Sequence, residues 1–420
     1  MDEHNRKERS MRVLLLTLYF TPDVGANAVV MTELAEELAA LGHRVTIVTA
    51  FPHYAGNVID RRYRGKLIQR EEYMGMRIIR TYLYTSVHKQ RFLVRLLNYV
   101  SFNILSTLAG LFSGPQDIIL VPSPPLTIGL SAYIISRFKR IRYIYNVQDI
   151  YPDVVIKLGV LKNQLGIAVS RWIERFVYAH ARHITVLSSG FRANLLRKRV
   201  PSEKLTVIPN FVDASFIRPL PRDNGFRHRF ELDDRFMVLY AGNLGHSQSL
   251  ECVLECAALL QDRNEIAFII VGNGSRKPHL EAQAKQMGLT NVRFIPFQPR
   301  EEVPEIYAAA DVSLVILRKG IALDSVPSKV YTIMASARPV IAAVDPGSDA
   351  WNLVEEGECG LCVEPENPQA LAEGIQTLTI NPALGERLGR NGRQHVLQHY
   401  TRQSVGGQYH RLLTSLLRPG

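Results

Sequence analysis

Two nucleotide signatures are missing from this 420-residue chain. No Gly-x-Gly-x-x-Gly follows its first apolar strand, and no Gly-x-x-x-x-Gly-Lys-Ser/Thr occurs anywhere. The first absence argues against a dinucleotide oxidoreductase, whose pyrophosphate needs close backbone approach, and the second against P-loop chemistry. Cysteine is scarce, with four residues. Cys252 and Cys256 are spaced for a helix, and Cys359 and Cys362 lie beside a glycine about a hundred residues later, a poor zinc pattern, so the expectation is reduced thiols and no metal. The opening "MDEHNRKERS" lacks the apolar core of a signal peptide, so the chain is expected in the cytoplasm. No helix-turn-helix, RNP or zinc-finger spacing accompanies the positive charge, which argues against nucleic acid. Long apolar runs are lacking too. Leu96 to Phe112 has no charge, but Asn98, Ser101, Asn103, Ser106 and Thr107 keep it only moderately apolar, and its length is at the lower limit for spanning, so a spanning helix is not expected. It reads as a helix buried in the first domain or as an interfacial helix flanked by Lys89, Arg91 and Arg95.

The length calls for two or three domains, and the charge divides with them. Net charge is +11, yet residues 1–200 hold 28 Lys or Arg against 14 Asp or Glu, and residues 201–420 hold 22 against 25. In the first half, "MRVLLLT", "RVTIVTA", "DIILVPS", "RYIYNVQD", "HITVLSS" and "LTVIPN" are short apolar strands separated by helical stretches such as Val29 to Leu41. That alternation predicts parallel crossover units and a doubly wound α/β sheet. The proline-rich polar stretch after Asn210 reads as a linker. A second series follows, "FMVLYAG", "IAFIIVGNG", "VRFIPF", "VSLVIL", "RPVIAAV" and "GLCVEP". The expected divisions are an N-terminal Rossmann-like domain over 11–210, a C-terminal one over 211–392, and a final helix over 393–420 that can pack on either. Two such domains facing each other make a cleft, with ligands outside the carboxyl ends of the strands.

Three strand ends in the second domain carry turn chemistry: "GNLG" at 242–245, "GNG" at 272–274, and "ALDSVPSKVYTIMA" at 322–335. The first has the form of a phosphate turn, with a helix opening at Ser247, but carries no lysine or arginine of its own. The third opens a helix at Pro327 or Ser328 with Lys329 in its first turn, where a cation opposes the helix dipole and invites an anion. The two turns together predict a diphosphate site in which the Gly242 turn gives amides and Lys329, with Arg318, gives positive charge.

These residues bring in a resemblance. "YFTPDVGANAVVMTELAEELAALGHRVTIVT", "QDIYPDVVIKLG", "ERFVYAHARHITVLSSGFRANL", "KLTVIPNFVD", "LYAGNLGHSQSLE", "FIIVGNGSRKPHLE", "NVRFIPF", "IYAAADVSLVIL" and "VPSKVYTIMASARPVIA" resemble, in order, the segments of family 4 glycosyltransferases of the GT-B fold. They are closest to the branch that builds bacterial O-antigen, capsule and colanic-acid-type polysaccharides. The resemblance runs from about Met11 to about Leu417. It implies retaining transfer of a sugar from a nucleotide-diphosphate donor, UDP before GDP, with no essential metal and no cofactor.

The departures from the family pattern fall on its charges. Most members carry an arginine and a lysine where this chain has Asn243 and Gln248, and a pair of glutamates where it has Asp324 and Thr332. What the resemblance implies for single residues follows. Lys329, Asn243, Gln248, Ser328, His246 and the amides of Gly242 and Gly245 would face the diphosphate, and Asp324 the sugar hydroxyls. Thr332 would meet the ribose, Gly272, Asn273 and Gly274 would let the base approach the backbone, and Pro296 and Phe297 would flank it. On the acceptor side stand Gly25, His53 and Asp149, the last steering an acceptor hydroxyl or capping a helix. The basic first half and Leu96 to Phe112 suit a polyprenyl-diphosphate-linked glycan acceptor at the anionic inner face of the plasma membrane. Three other readings stay open: a nucleotide-sugar epimerase on the same fold, a catalytically weak nucleotide-binding partner subunit, and a nucleic-acid binder.

Overall fold

A computed structural model describes residues 10–53, 58–86, 92–232 and 234–416. Most of the charged opening stretch, together with Lys89, Arg91 and Leu417, lies outside them, as does the side chain of Arg95. The first part of the chain runs β1 (Arg12–Leu16), α1 (Ala26–Ala40), β2 (Arg44–Ala50), β3 (Ile68–Tyr73), β4 (Met76–Thr81), α2 (Phe92–Leu111), β5 (Ile118–Ser123), α3 (Ile128–Lys139), β6 (Arg142–Val147), α4 (Asp153–Lys157), α5 (Gln164–His180), β7 (His183–Val186), α6 (Ser189–Arg197) and β8 (Leu205–Val207). The second runs α7 (Gly225–Arg229), β9 (Phe236–Ala241), α8 (Leu250–Leu259), β10 (Ile266–Val271), α9 (Lys277–Gln286), β11 (Val292–Ile295), α10 (Val303–Ala309), β12 (Val312–Ile316), α11 (Lys329–Ala335), β13 (Val340–Ala343), α12 (Asp349–Glu356), β14 (Gly360–Val363), α13 (Pro368–Ile380), α14 (Pro382–His399) and finally α15 (Arg402–Leu416).

The described chain divides into two compact units, residues up to Asn210 with those from Arg402 onward, and Phe211–Thr401. The first holds a sheet of order β3-β4-β2-β1-β5-β6-β7-β8, and the second one of order β11-β10-β9-β12-β13-β14. All pairings are parallel except β3 with β4. Parallel strands are covered by helices on both faces, which is why "VLLL" in β1 and "IAFIIV" in β10 are apolar throughout instead of alternating. The twelve strands that the apolar runs predict are all present.

The β3–β4 hairpin escaped the sequence reading. β3 is a half-exposed edge strand rich in charge, "IQREEY", and its two-residue turn has Met74 and Gly75 both at positive φ. That turn normally advertises itself with Asn-Gly, and methionine gives no such sign. The expected single final helix is also corrected: it is two helices, α14 and α15, broken at Tyr400–Thr401, and only α15 belongs to the first unit.

α15 packs on α1. Arg402 pairs with Glu36 at 2.7 Å and Glu37 at 3.1 Å, and a Cβ on Gly406 would overlap the Glu37 side chain, so the two helices approach closely there. Further along, the Met11 amide donates to His43 Nδ1 (3.2 Å), which leaves the proton on Nε2 to donate to His410 Nδ1 (2.9 Å). Burial, helped by the charge His410 would carry, pulls His43 down to about 4. The unfolded chain binds a proton on this histidine below about 6.5, the folded one only near 4. Stability from the pair is therefore full above pH 6.5 and is lost as pH falls toward 4. Between pH 7 and pH 4.5 the wild type is expected to lose about 2 kcal/mol more unfolding free energy than His43→Gln, measured by denaturant titration; equal losses would exclude this contribution.

Candidate functional site

In the second unit the turns after β9 and β10 lock onto each other. Gly242 donates to the Val271 carbonyl (2.9 Å), Leu244 to Asn273 (2.9 Å), and Arg276 back to Leu244 (2.9 Å). Gly242 and Gly272 have φ of +149 and +145, which side chains rarely adopt. A Cβ on Gly272 would also overlap the Gly242 carbonyl, and one on Gly274 the backbone of Leu244. Gly272 and Gly274 are glycines because one turn's backbone lies against the other. Asn273 is exposed and its side chain accepts from the Gly274 amide (2.9 Å).

Lys329 reaches this paired turn from a distant part of the chain. Its Nζ lies 3.7 Å from the centroid of the Tyr240 ring and 3.1 Å from where a Gly242 Cβ would stand. Nζ is out of solvent although the residue as a whole is half-buried. It has no hydrogen-bond partner, and no carboxylate lies within ion-pair distance of it among the described residues. Burial pulls the ammonium down to about 7. The ring face of Tyr240 offers a cation some attraction, and its hydroxyl donates to the Asn243 carbonyl (2.8 Å), tying the ring to the turn. Tyr240 was missed in the sequence because it reads as one more apolar strand residue.

Asn243 and Gln248 meet at Gly245: a Cβ there would stand 2.6 Å from Asn243 Nδ2 and 3.2 Å from Gln248 Oε1. Gln248 Oε1 accepts the Gly245 amide (3.2 Å), so that amide and the Gln248 oxygen satisfy each other. The expected helix start at Ser247 is corrected as well. α8 begins at Leu250, with Ser249 as its N-cap residue, because the chain spends residues 242–248 on the turn. His246 is exposed at the tip.

Arg318 is not a free countercharge. Its backbone amide donates to Ser247 (2.9 Å), and its guanidinium shares Glu251 with Arg276, at 3.4 Å in the case of Arg318. Burial pushes the Glu251 carboxyl up, but the Arg276 hydrogen bond and both arginine charges outweigh it and hold it below its usual range. Arg276 is a second residue that spacing did not reveal. The loop from Arg318 is pinned by Asp345, which accepts from Gly320 (2.7 and 2.9 Å) and Ala322 (3.3 Å). Asp324 is only 2% exposed, so a sugar hydroxyl reaches it only if that loop gives way. α11 starts at Lys329 with Ser328 as its N-cap, one or two residues later than expected, and Thr332 is half-buried on it. Pro296 and Phe297 stand exposed beyond β11, Phe297 at 52%.

In the first unit the loop after β1 ends at Gly25, the N-cap of α1. Asp23 in that loop accepts the His53 amide (3.1 Å), so Gly25 and His53 belong to one neighbourhood. His53 is buried, stacks on Tyr19 at 5.1 Å, and its Nδ1 bonds the Phe51 carbonyl (2.8 Å), which makes it a fastener of the loop. Two unanticipated side chains lie here: Asn27, whose amide atoms are buried without partners, and buried Arg80, which donates to Thr21 O (2.6 Å) and Glu71 (2.7 Å). Asp149 follows the end of β6 beside a buried chain in which Asn210 donates to Gln148 (2.8 Å), Gln148 to Asn146 (2.6 Å), and Asn146 to Thr185 and Tyr409 (both 3.0 Å). The thiols of Cys252 and Cys359 are pushed up to about 12 by burial. Among the described residues no group of three or more His, Cys, Asp or Glu is placed to hold a metal, and no described helix is long and apolar enough to cross a membrane.

Two parallel-sheet units, with turns and a buried lysine gathered at the carboxyl ends of one sheet, define a GT-B glycosyltransferase architecture. Residues 25–210 match the model of the glycosyl transferase 4-like domain and residues 222–395 that of glycosyl transferases group 1. The chain belongs to the family 4 glycosyltransferases of the GT-B fold. It is 29% identical over 381 residues to WcaI of Escherichia coli, named for colanic acid biosynthesis, covering 89% of this chain and 93% of that one. Sucrose-phosphate synthase from Thermosynechococcus elongatus shares the fold with a TM-score of 0.77 at 21% identity, over 97% of this chain and 99% of its own. HepE from Anabaena, solved with UDP-glucose, does so with 0.73 at 17%, over 96% and 100%.

Proposed function

We propose that this enzyme is a retaining transferase that moves a sugar from a nucleotide diphosphate, UDP in preference to GDP, to a polyprenyl-diphosphate-linked glycan in bacterial surface polysaccharide biosynthesis. The observation that carries the donor half is the buried, uncompensated Nζ of Lys329 against the Gly242 turn. A cation held there without a carboxylate is costly, and a diphosphate supplies the missing negative charge. The sugar–diphosphate bond breaks with one more negative charge on the leaving group. Lys329 and the NH2 groups of Asn243 and Gln248 would act as preorganised donors for that charge, and one such donor is worth up to about 3 kcal/mol. Positive charge is thus available at the leaving group without a metal. HepE's UDP-glucose supports UDP, and the naming of WcaI for colanic acid biosynthesis supports a polysaccharide product. Thr332 would give the ribose one hydroxyl contact, and Asp324 would support the loop beneath the sugar instead of touching it. Asp149, Gly25 and His53 would shape the acceptor side, His53 by holding the loop.

Thermal melting with UDP, GDP, ADP and NAD tests the donor. UDP at about a hundred times its Kd should add about 2.7 kcal/mol, and transfer from UDP-sugars should persist in EDTA with the anomeric configuration retained. If no nucleoside diphosphate shifts the melt, the site is not a donor site and this reading falls; a shift without any transfer would favour the weak-partner reading.

A further inference from the structure

The first unit carries a second basic site that sugar transfer does not use. A recess of about 740 Å³ is lined by Arg137, Arg140, Arg142, Arg182, Lys204 and His180, and by no carboxylate. It lies at the amino-terminal edge of the sheet: Arg142 opens β6, Arg182 precedes β7, Lys204 precedes β8, and α3 and α5 end beside it. Ligands of such sheets bind at the opposite, carboxyl edge. Two of the cations have local structural partners, Lys204 on the Ala179 carbonyl (2.8 Å) and Arg142 on Leu416 (3.3 Å). Arg137, Arg140 and Arg182 form no ion pair among the described residues. Arg140 holds the left-handed C-cap of α3 (φ +57), a place that ordinarily goes to glycine.

Next to the recess the helices expose apolar side chains. Phe138 on α3 is 76% exposed and Trp172 on α5 56%, and on α2 the residues Leu97, Val100, Ile104 and Leu108 are exposed at helical spacing. α2 packs on α3 and α3 on α5, so these belong to one helix layer. Of the two sequence readings for Leu96 to Phe112, burial holds for only one side of the helix. Phosphate in water would account for the arginines and leave the apolar row unexplained. Nucleic acid would stack on Trp172 and Phe138 but gains nothing from aliphatic leucine, valine and isoleucine. Basic residues around a recess beside exposed aromatic and aliphatic side chains match a bilayer interface, with phosphates in the basic part and acyl chains against the apolar part.

We infer that the recess of Arg137, Arg140 and Arg182, with Phe138, Trp172 and the α2 row, seats the enzyme on an anionic phospholipid surface, binding lipid phosphate. This deepens the lipid-linked acceptor reading, which it rests on.

The test uses the full chain with Trp351→Phe, which leaves Trp172 as the one tryptophan of the two in the sequence. It is mixed with vesicles of phosphatidylcholine, with or without phosphatidylglycerol, that contain no glycan acceptor. Expected are flotation only with phosphatidylglycerol, weakening as salt rises, and a blue shift of Trp172 emission. Arg137→Glu/Arg140→Glu/Arg182→Glu should cut partitioning at least about a hundredfold while keeping the melting shift with UDP, which shows that the fold and the donor site are intact. No flotation, flotation untouched by the triple variant, or flotation without a Trp172 shift would overturn the inference. So would saturable binding of inorganic phosphate or RNA at the arginines with no vesicle binding. Transfer to a water-soluble acceptor without vesicles tests the enzymatic reading separately.

Discussion

Lys329→Met is expected to make the free protein more stable and to abolish its stabilisation by UDP. Methionine fills a similar volume over the Tyr240 ring and carries no charge. The native Nζ is buried, lacks a hydrogen-bond partner and lies over that ring. Removing a buried charge that has no partner is expected to gain on the order of a few kcal/mol, a rise of roughly 2–4 °C in Tm per kcal/mol for a unit of this size. The same change removes the cation aimed at the leaving diphosphate, and kcat/KM for transfer should fall by about a hundredfold or more. Opposite signs for stability and activity are the signature of a group kept for function.

The pH dependence of the same lysine has a definite sign. Unfolded lysine titrates near 10.4, and burial brings Lys329 down to about 7 in the free protein. Its cost to stability is full below pH 7 and fades as pH rises from 7 toward 10. Diphosphate binding requires the ammonium, so UDP affinity should be flat below pH 7 and fall above it, by up to tenfold per pH unit, until the pKa of the bound state is passed. Titration calorimetry in buffers of different ionisation enthalpy should register proton uptake on binding at pH 8. A lysine-to-methionine variant that is less stable, still stabilised by UDP and without pH dependence would show that Lys329 is only a packing residue.

Asp311→Ala should unfold the second unit at far lower denaturant. Asp311 pairs with Arg222 (2.5 Å) and with fully buried Arg227 (2.6 Å), and it also accepts the amide of Met237, the second residue of β9 (2.7 Å). Arg227 also donates to the carbonyls of Ala309 (2.8 Å), Leu232 (2.6 Å) and Arg235 (2.9 Å). Without the aspartate, three neighbouring guanidiniums remain, including Arg338, which burial already pulls down. Breaking such a pair from one side typically costs about 3–5 kcal/mol, because the other charge stays buried. Arg227→Met combined with Asp311→Leu should recover most of the loss. A double variant as unstable as Asp311→Ala would mean that the Met237 contact, not the charge, dominates.

The turn proposed to hold the donor was legible because its signals are local. Strand, glycine turn and helix occupy consecutive residues from Phe236 to Leu259, and Lys329 sits in the first turn of a helix, where a cation is out of place. What lies under that lysine was not legible. Tyr240 is about ninety residues away, and its aromatic ring fits a buried strand equally well with or without a cation above it. Arg276 and Arg318 look alike as lone basic residues until Glu251 is found holding both.

By itself the sequence determined the parallel sheets, the order of their strands along the chain and the out-of-place lysine at the start of α11. Each rests on the periodicity or turn chemistry of a short window. The tertiary structure alone decided that Gly272 is a glycine because Gly242 lies against it, that α15 returns to the first unit through Arg402 and His410, and that one side of α2 remains uncovered. Those facts depend on which surfaces meet across tens to hundreds of residues. Local propensity carries no term for such meetings, since packing fixes them only once the whole sheet has formed.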